Sequence, residues 1–182
     1  MIINQVITET QILHRADFLA GKVLSYWDKE DFVTIGILNG CMPWLSALRA
    51  SMFRQMGDSR ECIDYDFYAT SSYNGETEGG SQLIITQRPS LSLKGMNVLL
   101  VDDIADSGRT LNAITDLVYA EEPNEVLIST LLDKPSGRTA PLRQPIAFVG
   151  FEVPESFYIG YGLDYGFGMR GLPYVAQLVE TE

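Results

Sequence analysis

The stretch of this chain that most restricts its possible folds runs from Val98 to Leu111. It begins with four apolar residues, too few for a helix but enough for a strand buried on both faces of a parallel sheet. Apolar side chains recur at helical spacing from Leu111 onward, so a helix should follow, with Gly108 at the tight point of the loop between them. Neighbouring strand side chains point to opposite faces, so Asp102 and Asp103 can serve one ligand only if the strand ends at Asp102.

The loop in this stretch combines carboxylates with a backbone suited to anions. N–H groups at a helix N-terminus lie at the positive end of the helix dipole and can bind a phosphate. Asp102, Asp103 and Asp106 lie beside them, and carboxylates accept hydrogen bonds from sugar hydroxyls and hold Mg²⁺. If Asp106 or Ser107 merely capped the following helix, the paired acids Asp102 and Asp103 would remain unexplained. The pattern therefore predicts a site for a phosphorylated sugar with a magnesium ion.

Length and charge narrow the class of protein. At 182 residues the chain is expected to form a single domain, residues 1–182, with a full-sized core. Its net charge of −11 argues against a nucleic-acid surface. It has no run of ~18 apolar residues to span a membrane, and its first residues lack the basic start and apolar run of a signal peptide. We therefore expect a cytoplasmic protein in which Cys41 and Cys62 are reduced thiols inside the fold.

Alternating strand and helix patterns predict an α/β architecture. A helix over residues 10–27, with Thr8 or Thr10 as its candidate cap, precedes a strand at Phe32–Leu38. Asn39-Gly40 then marks either a ligand-binding turn at the carboxyl end of that strand or a plain connection, and a helix follows from Cys41. Further strands are predicted at residues 65–70, 82–86, 124–132, 147–151 and 174–179.

Three other segments carry candidate binding residues. Residues 71–81 are polar and rich in glycine, which is typical of a lid over a site and equally of an ordinary hairpin loop. Lys134 follows the 124–132 strand at its carboxyl end, where it faces either the ligand crevice or solvent. Aromatic side chains are dense between Phe157 and Tyr165, and their spacing does not separate core packing from a platform for a flat ligand.

These segments together resemble one known family. Val98 to Leu111 looks like the phosphoribosyl pyrophosphate (PRPP) motif of type I phosphoribosyltransferases. Gly36 to Met42 is similar to the loop with which hypoxanthine-guanine phosphoribosyltransferases bind pyrophosphate through a strained, usually cis, peptide. Leu131 to Pro135 and Gly160 to Tyr165 resemble the purine-binding segments of that family. The resemblance implies the type I phosphoribosyltransferase fold, a mostly parallel central sheet flanked by helices, with a small hood built from the N- and C-terminal segments.

The resemblance also implies roles at the PRPP motif. Asp102 and Asp103 would bind the ribose hydroxyls and contribute to a magnesium site. Asp106 would be the catalytic residue that takes or holds the proton on purine N7. Lys134 would donate to the exocyclic oxygen of a 6-oxopurine. The loop that would bind the 5′-phosphate consists of Asp106, Ser107, Gly108, Arg109 and Thr110.

Further roles fall on the remaining segments. By the same resemblance Phe157 would stack on the purine, and the Tyr158 carbonyl would read the 2-position side of the base. Asp164 would lie at the purine and hold magnesium, and Arg170 would approach pyrophosphate. The residues expected in the pyrophosphate loop are Leu38, Asn39 and Gly40, where Asn39 stands in place of the lysine common in the family. The residues expected on the lid are Ser72 and Tyr73.

The implied activity is purine salvage. An enzyme of this family transfers the 5-phosphoribosyl group of PRPP to N9 of hypoxanthine or guanine, giving IMP or GMP and pyrophosphate with Mg²⁺ as cofactor, and the sequence leaves xanthine open as a further base. The family usually forms dimers or tetramers. The alternative is a non-enzymatic nucleotide- or RNA-binding regulator on the same fold. Such a regulator is expected to have a basic surface and often a tyrosine at position 106, unlike this chain. Adenine and orotate phosphoribosyltransferases, and receiver domains, match the motifs less well.

Overall fold

The computed structural model describes residues 2–28, 30–57, 64–73, 82–166 and 168–179. Three α-helices occur in these residues, α1 (Glu9–Tyr26), α2 (Met42–Met56) and α3 (Arg109–Tyr119), and a short 3-10 helix spans Pro135–Gly137. The strands of the described residues are β1 (Ile2–Ile7), β2 (Phe32–Leu38), β3 (Tyr65–Tyr73), β4 (Gln82–Gln87), β5 (Asn97–Ala105), β6 (Glu125–Asp133), β7 (Phe148–Glu152), β8 (Tyr158–Ile159) and β9 (Val175–Val179).

A six-stranded sheet in the order β4-β3-β2-β5-β6-β7 forms the centre of the molecule. All neighbours pair in parallel except β3 and β4, which pair antiparallel. The predicted α/β architecture with a mostly parallel sheet is therefore confirmed. Because β2, β5 and β6 are adjacent and parallel, their carboxyl ends lie side by side at one edge, which brings Leu38, Ala105 and Asp133 to the same end of the sheet.

Hydrophobic layers cover both faces of this sheet. On one face α1 and α2 pack against it, with Trp44 and Leu48 among the fully buried side chains. On the other face α3 contributes Leu111, Ile114 and Val118. The apolar run of β5 is buried on both faces because its side chains alternate between the two layers. No helix among the described residues is long and apolar enough to cross a membrane.

A second, three-stranded antiparallel sheet in the order β1-β9-β8 joins the two ends of the chain. Ile2 pairs with Val179 and Tyr158 pairs with Gln177. The sequence predicted that these N- and C-terminal segments build the hood. The strands β1 and β8 were not predicted, because each is short and acquires its pairing only from a strand that is distant in sequence.

Two predicted strand ends differ from the structure by three residues each. β5 continues to Ala105 instead of ending at Asp102, because Ile104 and Ala105 still pair with Leu132 and Asp133 of β6. β3 likewise extends through Tyr73, since its last residues pair with β4, so Ser72 lies in a strand. The remaining predicted lid, residues 74–81, lies outside the described residues, as does Cys62. Cys41 is a free, buried thiol, as expected.

The start of α1 decides which threonine is the cap. Thr8 accepts a hydrogen bond on its hydroxyl from the Gln11 N–H at 3.2 Å, and the Thr8 N–H donates to Gln11 Oε1 at 2.8 Å. Thr8→Ala should lower the free energy of unfolding by about 1 kcal/mol, because one helix N–H loses its acceptor. Thr10→Ala, the matched control inside the first turn, should leave stability unchanged or slightly raised. Urea denaturation of both variants measures this, and equal losses would contradict the assignment.

Candidate active site

The carboxyl ends of β2 and β5 enclose a crevice of about 330 Å³. Its walls come from the pyrophosphate-loop candidates, from the end of β5 and the start of α3, and from the segment between β8 and β9. The candidate residues that line it are Leu38, Asn39, Gly40, Asp102, Asp103, Asp106, Ser107, Gly108, Thr110, Asp164 and Arg170. A crevice of this size accommodates a small phosphorylated ligand.

Asp102 and Asp103 form the floor of the crevice, although both belong to β5. The Asp103 N–H donates to Asp102 Oδ1 at 3.0 Å, and the Ile104 N–H donates to Asp103 Oδ1 at 2.8 Å. Burial raises the pKa of Asp102 well above its usual range, and the charge of Asp103 raises it further. Burial raises the pKa of Asp103 too, against the opposing effect of hydrogen bonds and of the Arg170 charge. Such a pair favours a ligand that brings hydroxyl donors or positive charge.

The turn after β2 lies directly against this acidic pair. The Leu38–Asn39 peptide is cis, as the resemblance implied. Gly40 is buried and its backbone abuts the Asp103 carboxylate so closely that a Cβ atom at position 40 would collide with that carboxylate. Asn39 is exposed on the crevice side of the turn. Only a glycine allows this approach of the turn to the acids.

The phosphate loop precedes α3. Gly108 adopts a left-handed conformation with φ of 84°, and α3 begins at the next residue. Arg138 holds the loop in place: it donates to the Asp106 carbonyl at 2.7 Å and pairs with Asp133 at the end of β6. The Thr139 N–H donates to the Ser107 carbonyl at 3.2 Å. Sequence reasoning missed Arg138, since a single charge in a loop has no periodicity to reveal it.

A buried lysine lies beside the crevice. Lys134 is 4 % exposed, and its ammonium lies 3.3 Å from Asp106 Oδ1 and 2.8 Å from Glu155 Oε1. Burial alone would lower the pKa of Lys134, but the hydrogen bond to Glu155 and the charge of Asp106 outweigh it and raise the pKa. Lys134 is therefore a charged donor held at the site. Glu155 was also missed by sequence reasoning.

Two further candidates are aromatic: Phe157 directly precedes β8, and Tyr158 is the first residue of β8. Phe157 is 53 % exposed and meets Tyr165 edge to face, with 5.8 Å between ring centroids. Tyr158 is buried in β8, and its hydroxyl donates to the Pro154 carbonyl at 3.0 Å. The exposed face of Phe157 is available to a flat ligand, whereas the Tyr158 ring is part of the packing.

Among the described residues that line the crevice, Arg170 is the one that carries a positive charge. It donates to the Gly162 carbonyl at 2.5 Å and to Asp164 Oδ2 at 2.6 Å. Asp164 is thus already engaged in an ion pair. Arg170 and Asp164 face the acidic pair of β5 from the segment between β8 and β9.

Comparison with known proteins decides the family. Residues 4–165 match the family model described as phosphoribosyl transferase domain. A hypoxanthine-guanine phosphoribosyltransferase of Bacillus subtilis is 34% identical over 95% of this chain and 91% of its own length. The chain belongs to the hypoxanthine-guanine phosphoribosyltransferase family. The resemblance inferred from the sequence motifs is therefore confirmed.

Solved structures of phosphoribosyltransferases agree in fold. A hypoxanthine phosphoribosyltransferase from Staphylococcus aureus superposes with a TM-score of 0.85 at 32% identity, covering 97% of this chain and 91% of that chain. A hypoxanthine-guanine phosphoribosyltransferase from Bacillus anthracis, solved with a HEPES molecule in the active site, gives 0.86 at 30% identity over 98% of this chain and 100% of that chain. The type I phosphoribosyltransferase fold is confirmed, and the chain is a transferase of this family.

The predicted site residues of this phosphoribosyltransferase fall into three groups in the structure. Those of the pyrophosphate loop, and those of the PRPP motif other than Arg109, share the crevice with Asp164 and Arg170. Lys134 does not line the crevice itself but forms an ion pair with Asp106, which does. Arg109, Phe157 and Tyr158 are not among the residues that line it. Ser72 and Tyr73 are placed only by the backbone of β3, whose neighbour Thr70 does line the crevice.

The magnesium expected for a phosphoribosyltransferase fits the donor set. Among the described residues no three His, Cys, Asp or Glu side chains converge on one point to form a protein-only metal site. Mg²⁺ is usually held by one or two carboxylates together with substrate phosphates and water. Asp102 and Asp103 can supply the carboxylates. Asp164 can join such a site only by sharing its carboxylate with Arg170.

The contact between Gly40 and Asp103 gives a prediction. Gly40→Ala should lower the rate of phosphoribosyl transfer by about 10²-fold, the effect of misplacing reacting groups by ~1 Å, because the new Cβ must push the acid or the turn away. Gly171→Ala is the matched control, since a Cβ there meets nothing within 4 Å. Initial-rate kinetics on both variants tests this; a fully active Gly40→Ala enzyme would show that the turn moves freely.

Proposed function

We propose that this enzyme carries out purine salvage by transferring the 5-phosphoribosyl group of PRPP to N9 of a 6-oxopurine. Hypoxanthine and guanine are the proposed bases, with xanthine a further candidate, and IMP or GMP and pyrophosphate are the products. The observation that carries the proposal is the buried Lys134 ammonium 3.3 Å from Asp106, beside the phosphate crevice. An ammonium donates and cannot accept, so it favours a 6-oxo group over the 6-amino group of adenine.

In the proposed reaction the bond from ribose C1′ to the pyrophosphate oxygen breaks and a bond from C1′ to purine N9 forms. The departing group leaves positive charge on the ribose, so the transition state resembles an oxocarbenium ion. Asp102 and Asp103 would accept hydrogen bonds from the ribose hydroxyls and stabilise this charge. Asp106 would take the proton that the purine releases. Pyrophosphate leaves with the electron pair of the broken bond.

The other groups would bind and orient the substrates. The N–H groups of the phosphate loop and of the first turn of α3 would hold the 5′-phosphate. Arg170 and the backbone of the 38–40 turn would hold pyrophosphate, and Phe157 would stack on the base. Bound magnesium would neutralise part of the pyrophosphate charge as that group departs. Ser72 and Tyr73 would begin a lid that excludes water from the reacting carbon.

We also propose that the enzyme acts in the cytoplasm as a homodimer or homotetramer. The buried free thiol of Cys41 supports a reducing compartment. The oligomer is supported by the family resemblance and by exposed aromatic side chains on α2 and β3, Phe53 and Tyr65. Neither nucleic acid nor a membrane is a proposed partner, in keeping with the net charge of −11.

Replacing the proposed proton acceptor tests the mechanism. Asp106→Asn should leave PRPP and hypoxanthine binding largely intact and lower kcat by about 10²–10⁴-fold, because a positioned acid–base group is lost. Asp28→Asn, at an exposed carboxylate near the end of α1, is the control and should keep wild-type turnover. Pyrophosphate release measured at saturating substrates gives kcat, and wild-type turnover of Asp106→Asn would refute this role.

Base selection tests Lys134. Lys134→Ala should lower kcat/KM for hypoxanthine and guanine strongly while weakening the discrimination against adenine, because the unmatched donor is removed. Lys94→Ala is the matched control, because Lys94 is an exposed lysine that likewise pairs with a glutamate, Glu122. It should leave kcat/KM unchanged for all three bases. An equal loss for all three bases in Lys134→Ala would instead point to a structural lysine.

The exposed Asn39 gives a test of the pyrophosphate turn. Asn39→Lys should tighten PRPP binding by about 1 kcal/mol, the most that a partly screened charge contact usually supplies, and should lower the magnesium needed for half-maximal rate. Asn39→Gln lengthens the side chain without charge and should do neither. Hypoxanthine affinity is the control for the geometry of the turn. Unchanged PRPP affinity and magnesium requirement in Asn39→Lys would show that residue 39 points away from pyrophosphate.

A further inference from the structure

Glu155 lies closer to the Lys134 ammonium than Asp106 does. The two N–O distances are 2.8 Å to Glu155 Oε1 and 3.3 Å to Asp106 Oδ1. The lysine side chain is 6 % exposed, whereas the two carboxylate side chains are more than half exposed. A single buried cation is therefore held between two acids at the lip of the crevice, and only one of them has a part in the reaction proposed above.

The backbone around Glu155 is fixed on both sides. The Tyr158 hydroxyl donates to the Pro154 carbonyl at 3.0 Å, just before Glu155. The Gln177 amide donates to the Ser156 hydroxyl at 2.6 Å, just after it. The Glu155 side chain therefore extends from an anchored segment, and its contact with Lys134 follows from the fold of the hood.

Gly137 gives both carboxylates room to reach the lysine. A Cβ atom at this position would meet Asp106 Oδ1 and would lie 2.8 Å from Glu155 Oε2. The 3-10 helix that begins after Lys134 thus passes both acids without a side chain between them. Lys134, Asp106 and Glu155 thus form a cluster in which the ammonium is buried and the two carboxylates are partly exposed.

We propose that Glu155 is a positioning residue that keeps the Lys134 ammonium from pairing more tightly with Asp106 and directs it toward the base. This inference rests on the proposed function, because it assigns Lys134 to the exocyclic oxygen of the purine. An ammonium has three N–H donors, so two can engage the acids while the third remains for the base. Without Glu155 the lysine has Asp106 as its remaining carboxylate partner, and a tight pair there occupies the oxygen that must receive the purine proton.

The specificity of the site follows from the same geometry. A lysine that is free to fold onto Asp106 presents its donor less often to the 6-position, so the enzyme without Glu155 should lose rate with 6-oxopurines in particular. PRPP binding should not change, since Glu155 is not among the residues that line the phosphate crevice. The expected change is thus confined to the base and to proton transfer.

A double-mutant cycle tests this inference, using wild type, Glu155→Ala, Lys134→Ala and the double variant. Glu155→Ala should lower kcat/KM for hypoxanthine by about tenfold, the scale of one charge-assisted hydrogen bond that is partly exposed to solvent, with KM for PRPP unchanged. In the Lys134→Ala background the same substitution should have no further effect, because a residue that acts through Lys134 has nothing left to position. Glu155→Gln should fall between wild type and Glu155→Ala.

Glu152→Ala is the matched control, since Glu152 is an exposed glutamate in β7 of the same segment and should leave the kinetics unchanged. An equal loss from Glu155→Ala in both backgrounds would overturn the inference, as would an equal loss in the Glu152 control. IMP binding measured by calorimetry provides a readout without turnover, and it should weaken in Glu155→Ala only when Lys134 is present. If the wild-type enzyme fails to use any 6-oxopurine, the proposed function fails, whereas an active wild type with an additive cycle refutes Glu155 alone.

Discussion

The site depends on placing two carboxylates at the end of a strand in the middle of the sheet. A buried carboxylate is unstable unless hydrogen bonds or a cation compensate for the lost water. Here the backbone N–H groups of Asp103 and Ile104 supply part of that compensation. The charge of Arg170 offsets a further part at Asp103, and hydroxyl groups or a metal ion would offset more where the ribose and metal are proposed to sit. The rigid, fully buried residues of β5 before them keep the acids in place.

Cations around the crevice are tied to acids before any substrate arrives. Arg138 pairs with Asp133 below the phosphate loop, and Arg170 pairs with Asp164 at its rim. These contacts fix the long side chains and reduce the entropy lost on binding. An anion that binds Arg170 would have to compete with Asp164 for its guanidinium. A magnesium ion held by Asp102 and Asp103 would offset this competition by adding positive charge beside a polyanion.

Sequence patterns predicted those parts of the structure that depend on neighbouring residues. The strand Phe32–Leu38 was predicted to the residue, and the helix over residues 10–27 was displaced by one at each end. The end of β5 was misjudged because its polar residues are kept in the strand by pairing with β6, which no local pattern records. Glu155 has no motif, and only the folded chain brings it to Lys134. The family and the placement of the PRPP motif could be predicted, whereas the charge partners that hold the site together could not.

The contact of Gly40 with the Asp103 carboxylate has a dynamic consequence. The subsites proposed for the leaving group and for the sugar share a single van der Waals boundary. Close-packed groups of this kind transmit displacement instead of absorbing it. Under the proposed function, an outward displacement of the turn after β2 would remove a contact of the Asp103 carboxylate that binds the sugar. The order in which the two products leave would then depend on this boundary as well as on their separate affinities.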